Sequence, residues 1–280
     1  MIPTALVFDV DNTLTPPRRP LGRDLAEALK RLNVPFALAA GSDLNIVQDQ
    51  FFAPLHAMGY RGSFDAFLCN GASRYHCMCG QDLKVEVVDD FSINDHLGPE
   101  WARELLAIME RSLENPDFRL PPDLTVIGDR IINRKSMINL APIGRPRGGN
   151  LAEDAQRNRD AFVAFDERTG YRKRYLSYLR KAVAPIAAAK DLVVTYGGQT
   201  SFDFVIRGRD KTYPVRTLLA SGVGEVFYFG DALFEGGNDA AVLDLIRDWS
   251  ATPCPVKAVA VANCEQTLER LRTMGFLTER

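Results

Sequence analysis

Long apolar runs are missing from this 280-residue chain. None approaches the ~20 residues that a membrane-spanning helix needs, so a bilayer-embedded protein is not expected. Charge of one sign is missing too: the formal net charge is −2, which supplies no bulk attraction to nucleic acid or to a membrane surface. Histidine is reduced to His56, His76 and His96, and no pair has helical metal-ligand spacing, which argues against a histidine-based metal centre. The cysteines Cys69, Cys77, Cys79, Cys254 and Cys264 are odd in number, and no signal-peptide pattern precedes the first strand. They read as free thiols, and a cytoplasmic location is expected. Cys77-Met78-Cys79 has C-x-C spacing, but only His76 stands close enough to extend it into a zinc set; buried small hydrophobes are the expected role. Repeats and low-complexity tracts are absent as well, so the chain has room for one or two ordinary globular domains.

What is present is concentrated at Leu6-Val7-Phe8-Asp9-Val10-Asp11-Asn12-Thr13. Ala5 to Phe8 carries no polar alternation, the mark of a strand buried on both faces of a parallel sheet. In such sheets the functional crevice lies outside the carboxyl ends of the strands, which is where Asp9 and Asp11 fall. Residues i and i+2 of an extended chain project the same way. Two like charges that close are costly unless a cation or a proton shares them, and Mg²⁺, which binds carboxylates together with substrate phosphate, answers that need. Phosphoryl transfer is the chemistry this implies, with one aspartate attacking phosphorus and the other handling the proton. A surface Asp pair capping a turn is the plainer alternative for an isolated D-x-D.

Down the chain, Leu21 to Leu32 has helical spacing, Val34 to Ala40 is a second apolar strand, and Leu44 to Met58 a second helix. Ser42, at the end of that second strand, can bind a phosphate oxygen or share helix capping with Asp43. Phe64 to Leu68 predicts a third strand, with a hairpin from Tyr75 to Cys79 and Leu83 to Val88. From about Asp89 the texture changes. A helix over Glu100 to Leu113 is followed by short strands at Leu124 to Ile127, Ile131-Ile132 and Met137 to Leu140. Helical pieces over Phe162 to Leu179 and strands at Leu192 to Tyr196 and Thr200 to Ile206 complete this stretch, which predicts an α+β insert with an antiparallel sheet. Alternation returns from Lys211: a helix with Pro214 near its start, the strand Val226 to Gly230 ending in Asp231, a helix to Trp249, the strand Val256 to Ala262 and a closing helix. The expected fold is α/β, a Rossmann-like doubly wound parallel-sheet core with an inserted α+β cap domain. The core takes residues 1–88 and 209–280, and the cap 89–208. Arg145 to Asn150 reads as a mobile loop. Asp9, Asp11, Ser42, Asp231 and Lys211 are thereby expected in one crevice, with Asp231 and Asp9 as magnesium ligands and Lys211 as a point charge for a phosphoryl oxygen. Lys211 on its own has the reading of a solvated surface residue.

These stretches, together with Met137-Ile138-Asn139-Leu140-Ala141-Pro142-Ile143-Gly144-Arg145, Gly197-Gly198-Gln199-Thr200-Ser201-Phe202-Asp203 and Gly236-Gly237-Asn238-Asp239, resemble the haloacid dehalogenase superfamily of aspartyl phosphotransferases. More narrowly, the chain is similar to the eukaryotic-type phosphomannomutases. The resemblance implies Asp9 as the nucleophile that forms an aspartyl phosphate. It implies Asp11 as general acid and base, whose backbone carbonyl helps to hold Mg²⁺. Ser42 and Lys211 would grip the transferring phosphoryl group, and Asp231 would be the third metal ligand, supported by Asn238 and Asp239. Arg18, Arg134, Arg145 and Arg159 match substrate-binding positions, those in the cap holding the distal phosphate, and Arg157 competes with Arg159. Ser201 and Asp203 match positions at the sugar hydroxyls. Asn12 stands where the family usually carries Gly, Ala232 where it has Lys, and Ala141 where it has Ser. The implied activity is interconversion of mannose 6-phosphate and mannose 1-phosphate, with a hexose 1,6-bisphosphate as activator. A sugar-phosphate phosphatase on the same scaffold and a catalytically dead sugar-phosphate sensor are the alternatives. Small-molecule sugar phosphates are the expected partners, with no nucleic acid or membrane, and a homodimer formed through the cap is implied.

Overall fold

The computed structural model describes residues 2–145, 153–234 and 237–278, which fall into two compact units: Met1–Asp90 with Gly208–Arg280, and Phe91–Arg207. In the first, β1 (Thr4–Phe8) leads through α1 (Arg23–Leu29) to β2 (Phe36–Ala39). The long helix expected next is interrupted: α2 (Leu44–Val47) passes into a π-helical turn, Gln48–Phe52, before α3 (Ala53–Ala57). The cause is Pro54. It has no N–H to return to the carbonyl of Gln50, and Leu21 N–H takes that carbonyl instead at 2.9 Å. Three strands follow, β3 (Gly62–Leu68), β4 (Ser73–Cys79) and β5 (Leu83–Asp90).

The second unit opens on α4 (Ile93–Glu114), earlier than the predicted start at Glu100. Ser92 caps Asp95 N–H at 3.3 Å, and the run restarts at Gly98 (φ 79°) and Pro99, since proline suits a first helical turn. The strand expected over Leu124 to Ile127 does not form. An α5 side chain satisfies that backbone instead: Asn158 accepts from Thr125 N–H at 3.0 Å and donates to Thr125 O at 2.8 Å. β6 (Asp129–Asn133) and β7 (Ile138–Arg145) precede the helices α5 (Glu153–Thr169), α6 (Tyr171–Ala182) and α7 (Ala184–Lys190), then β8 (Leu192–Gly197) and β9 (Ser201–Ile206). The four strands run β6-β7-β9-β8, antiparallel throughout. Tyr171, Tyr175, Phe162, Phe202 and Phe204 fill the unit's own core. Residues 146–150 of the loop read as mobile lie outside the described residues.

The chain then returns to the first unit with α8 (Tyr213–Ala220), β10 (Glu225–Gly230), α9 (Ala240–Arg247), β11 (Val256–Ala260) and α10 (Cys264–Thr273). Its seven strands are ordered β11-β10-β1-β2-β3-β4-β5. The five strands from β11 to β3 are parallel and the last two antiparallel, so the expected doubly wound core is observed. β1 lies between β10 and β2, and the strand order reverses there. That switch point opens a crevice at the carboxyl ends of the strands. Phe8 and Phe229, paired in register and 4.9 Å apart between ring centres, are wholly buried; each contributes roughly 1.5–3 kcal/mol of transfer free energy. No helix among the described residues is long and apolar enough to cross a membrane.

Candidate active site

Register builds the site. Because Phe8 pairs with Phe229, Asp9 and Asp231 leave the sheet side by side, and Asp9 N–H donates to Phe229 O at 2.9 Å. Ligand oxygens of Asp9, Asp231 and Asp239 all lie within 4.8 Å of one another. Asp239 comes from the turn before α9 and is fully buried; the family resemblance implied only a supporting place for it, and here it is a member of the cluster. Gly230 makes the room: a Cβ at that position would stand 2.4 Å from Asp239 Oδ2. Asp239 is held by Tyr228 OH at 2.7 Å and by Ala232 N–H at 3.2 Å.

Lys211, far from being a surface residue, is 1% exposed. Its Nζ donates to Asp9 at 2.6 Å and contacts Asp239 at 2.8 Å. Burial works against the Lys211 charge, but the Asp9 and Asp239 carboxylates outweigh it and raise the ammonium above its ordinary value. Burial pushes Asp9 up to about 7, against the pull of Lys211 and helped by Asp239. Three carboxylates facing one ammonium leave an excess of negative charge, and a divalent cation fits that donor set. With Asp239 occupied by three donors, Asp9 and Asp231 are the better placed ligands.

Asp11 stands on a tight loop in which Val10 O accepts from the N–H groups of Thr13, Leu14 and Thr15. Its Oδ1 accepts from Arg18 N–H at 3.0 Å and from Gln50 Nε2 at 2.7 Å. Gln50, 4% exposed, was not singled out from the sequence. It points inward because it lies on the π-helical turn, and it also donates to Thr15 Oγ1 at 2.5 Å. Asn12 adopts φ 58° and donates to Asp231 Oδ2 at 3.0 Å across 219 residues. Ser42 lies three residues beyond Ala39, the last residue of β2, and its carbonyl accepts from Cys69 N–H at 3.0 Å. Arg18 is exposed, and so is Asn238, in the turn beside buried Asp239.

The second unit gathers another polar set. Asn139 is the hub, 1% exposed on β7. Its Nδ2 donates to Ser201 Oγ at 2.9 Å and to Asp203 Oδ1 at 2.5 Å, while its Oδ1 accepts from Arg145 Nε at 3.0 Å. Arg145 Nη2 also reaches Ser201 Oγ at 3.0 Å. Burial raises the Asp203 carboxyl, against the Asn139 hydrogen bond and the Arg145 and Arg134 charges. Arg145, Ser201 and Asp203 are thus brought together, and Asn139, not among the residues expected at the site, joins them. Arg134 is exposed just past β6, and Arg159 Nη2 donates to Gln199 Oε1 at 2.9 Å. Arg157 instead pairs with Asp154.

Residues 24–265 match the family model described as eukaryotic phosphomannomutase. Among similar proteins, the phosphomannomutase of Spinacia oleracea is 31% identical over 277 residues, which is 98% of this chain and 96% of that protein. That of Schizosaccharomyces pombe is 32% identical over 241 residues, 84% of this chain and 83% of the other. Among solved structures, a trehalose-6-phosphate phosphatase of Aspergillus fumigatus matches with a TM-score of 0.58 at 12% identity, over 97% of this chain and 92% of that one. An IMP-nucleotidase of Plasmodium falciparum bound to IMP matches with a TM-score of 0.59 at 15% identity, over 98% and 68%. At these identities the structural matches speak to fold.

Proposed function

The chain belongs to the eukaryotic phosphomannomutase family, and on that premise we propose that it interconverts hexose 6- and 1-phosphates, mannose foremost, by Mg²⁺-dependent phosphoryl transfer through Asp9. The observation that carries this reading is the meeting of Asp9 and Asp231 at the ends of adjacent strands, with Lys211 reaching Asp9 from the turn before α8. In one half-reaction an Asp9 carboxylate oxygen bonds to phosphorus of a hexose 1,6-bisphosphate as the bond from phosphorus to the sugar oxygen breaks, which leaves phosphorylated Asp9 and a hexose monophosphate. Asp11 gives that oxygen its proton. With Oδ1 tied to Gln50 and Arg18 N–H, its Oδ2 is the oxygen that exchanges the proton. In the other, the bond from Asp9 to phosphorus breaks as the free hydroxyl of a hexose monophosphate takes the phosphoryl group and gives its proton to Asp11, so the bisphosphate forms again and turns end for end before the next transfer. Lys211 offsets negative charge on Asp9 and on the transferring group, and Ser42 adds a hydroxyl. Asp9 and Asp231, with the Asp11 backbone carbonyl, would hold Mg²⁺, which when bound neutralises charge on the phosphoryl oxygens. Asn238 and Asp239 back that set. A hexose 1,6-bisphosphate serves as activator by charging Asp9.

A mutase also has to hold the phosphate that is not reacting. Arg145 is the prime candidate, because its guanidinium is already aligned by Asn139 and Ser201 and can bind phosphate bidentately. Arg134 and Arg159 are assigned to the same anion, Arg18 to substrate binding, and Ser201 and Asp203 to sugar hydroxyls. By resemblance the protein is a homodimer joined through the inserted unit, which light scattering would test, and its free thiols suit the cytoplasm. The assay is direct: supply Mg²⁺, mannose 1-phosphate and a trace of glucose 1,6-bisphosphate, and follow mannose 6-phosphate and free phosphate. Isomer in excess of phosphate is expected. Phosphate without isomer would replace the mutase with a hydrolase, and no turnover of several sugar phosphates would leave a binding protein.

A further inference from the structure

Asp231 differs from the other two carboxylates of its cluster. Lys211 binds Asp9 and Asp239, and Tyr228 and Ala232 N–H add to the hold on Asp239. Asp231 is half-buried at the head of an irregular segment that runs to the exposed Phe234. Its carboxylate receives a hydrogen bond from Asn12 at 3.0 Å. The Asn12 backbone is itself fixed, since its N–H donates to Thr15 O at 2.8 Å within the tight loop that carries Asp9 and Asp11. Its φ of 58° is one that asparagine tolerates better than most residues. An amide donor orients a carboxylate without adding charge. A lysine or arginine here would compete with a bound cation for Asp231; asparagine leaves the negative excess in place.

We propose that Asn12 is a positioning residue that clamps Asp231, and that the clamp sharpens the site's preference for a small octahedral divalent ion over Ca²⁺. This rests on the reading of Asp231 as a metal ligand. Mg²⁺ demands near-ideal geometry at short distance, whereas Ca²⁺ accepts more oxygens, longer bonds and bidentate carboxylates. A carboxylate with one oxygen pinned suits the first ion, and a carboxylate free to swing suits the second. Groups that orient metal ligands commonly matter about 10–100-fold in affinity.

Asn12→Gly separates the clamp from the fold, because glycine adopts positive φ freely and only the amide is lost. Metal-stripped full-length protein is titrated with Mn²⁺ by electron paramagnetic resonance, and the bound ion is then displaced with Mg²⁺ or Ca²⁺. In Asn12→Gly, Mg²⁺ affinity is expected to fall about tenfold and Ca²⁺ affinity by much less, so the Mg²⁺-to-Ca²⁺ preference drops. Equal losses for the two ions, or none, would overturn the clamp. Asp231→Asn is the control. If it cripples Mn²⁺ binding while Asn12→Gly leaves the preference intact, the clamp alone fails. If Asp231→Asn binds Mn²⁺ as the parent does, the metal-site reading fails and takes the clamp with it.

Discussion

Single side chains carry the chemistry, and two of them make separable predictions. Asp9→Asn keeps the shape and removes the proposed nucleophile. Isomerase activity is expected to fall at least about 10³-fold, read as initial rate under saturating Mg²⁺, and near-normal turnover would defeat the covalent route. Gln50→Leu keeps the volume and removes the donor to Asp11 and Thr15. The expected result is a kcat about tenfold lower with KM little changed, since an interaction that orients the group proposed for proton transfer acts on the chemical step rather than on binding. A change confined to KM would place Gln50 outside catalysis. These residues were unequally legible. Asp9 and Asp11 stand out because an uninterrupted apolar strand delivers them. Gln50 does not, because its inward aim depends on a π-helical turn that Pro54 forces and Leu21 completes. Asn12 is recognisable as a turn residue, but its bond to Asp231 spans 219 positions that no local pattern connects. Asp239 looks like another polar turn residue until Gly230 leaves space for its carboxylate.

At the scale of elements, buried parallel strands were plain in the sequence because both faces are apolar, as β1 and β10 illustrate. Elements whose backbone is satisfied by a side chain were not: Leu124 to Ile127 has a strand's composition, but Asn158 from α5 occupies Thr125. The junction between β5 and α8 offers a test of its own. Asp89, at the end of β5, accepts from Tyr213 OH of α8 at 2.8 Å and pairs with Arg209, whose guanidinium lies 4.5 Å from the Tyr213 ring centre. Burial raises the Asp89 carboxyl, but the hydrogen bonds from Arg209 and Tyr213 and the Arg209 and Arg74 charges outweigh it and hold it below its usual value. A depressed carboxyl stabilises the fold above the unfolded-state value, about 3.9, and that contribution is lost as pH falls through the folded value. Asp89→Asn is therefore expected to lower Tm at pH 7 by roughly 2 °C, a partly exposed pair being worth little. The gap from the parent should close as the pH is taken from about 4 toward 3. Melting curves across that range decide it: a gap that holds constant or widens in acid rules out the pairing as its source.

For the whole molecule, what distinguishes a mutase from a hydrolase is whether the phosphorylated intermediate is kept until it has turned over. The residues assigned to phosphoryl transfer lie in the first unit, while the aligned guanidinium of Arg145 belongs to the second. If that guanidinium grips the non-reacting phosphate, weakening it should cost isomer more than it costs phosphate release. Water can still take the phosphoryl group from Asp9 when the sugar is poorly held. Arg145→Lys retains the charge and gives up the planar fork that Asn139 and Ser201 orient. Isomer formation is expected to drop about 30-fold, since losing one charge-assisted phosphate contact costs about 2 kcal/mol, and free phosphate to drop no more than about threefold, which lowers the ratio of the two products. The ratio is insensitive to how much of the protein is folded, because both products come from the same active molecules. A parallel fall in isomer and phosphate would mean that Arg145 serves the reacting group or the fold, and that retention of the intermediate lies with other residues.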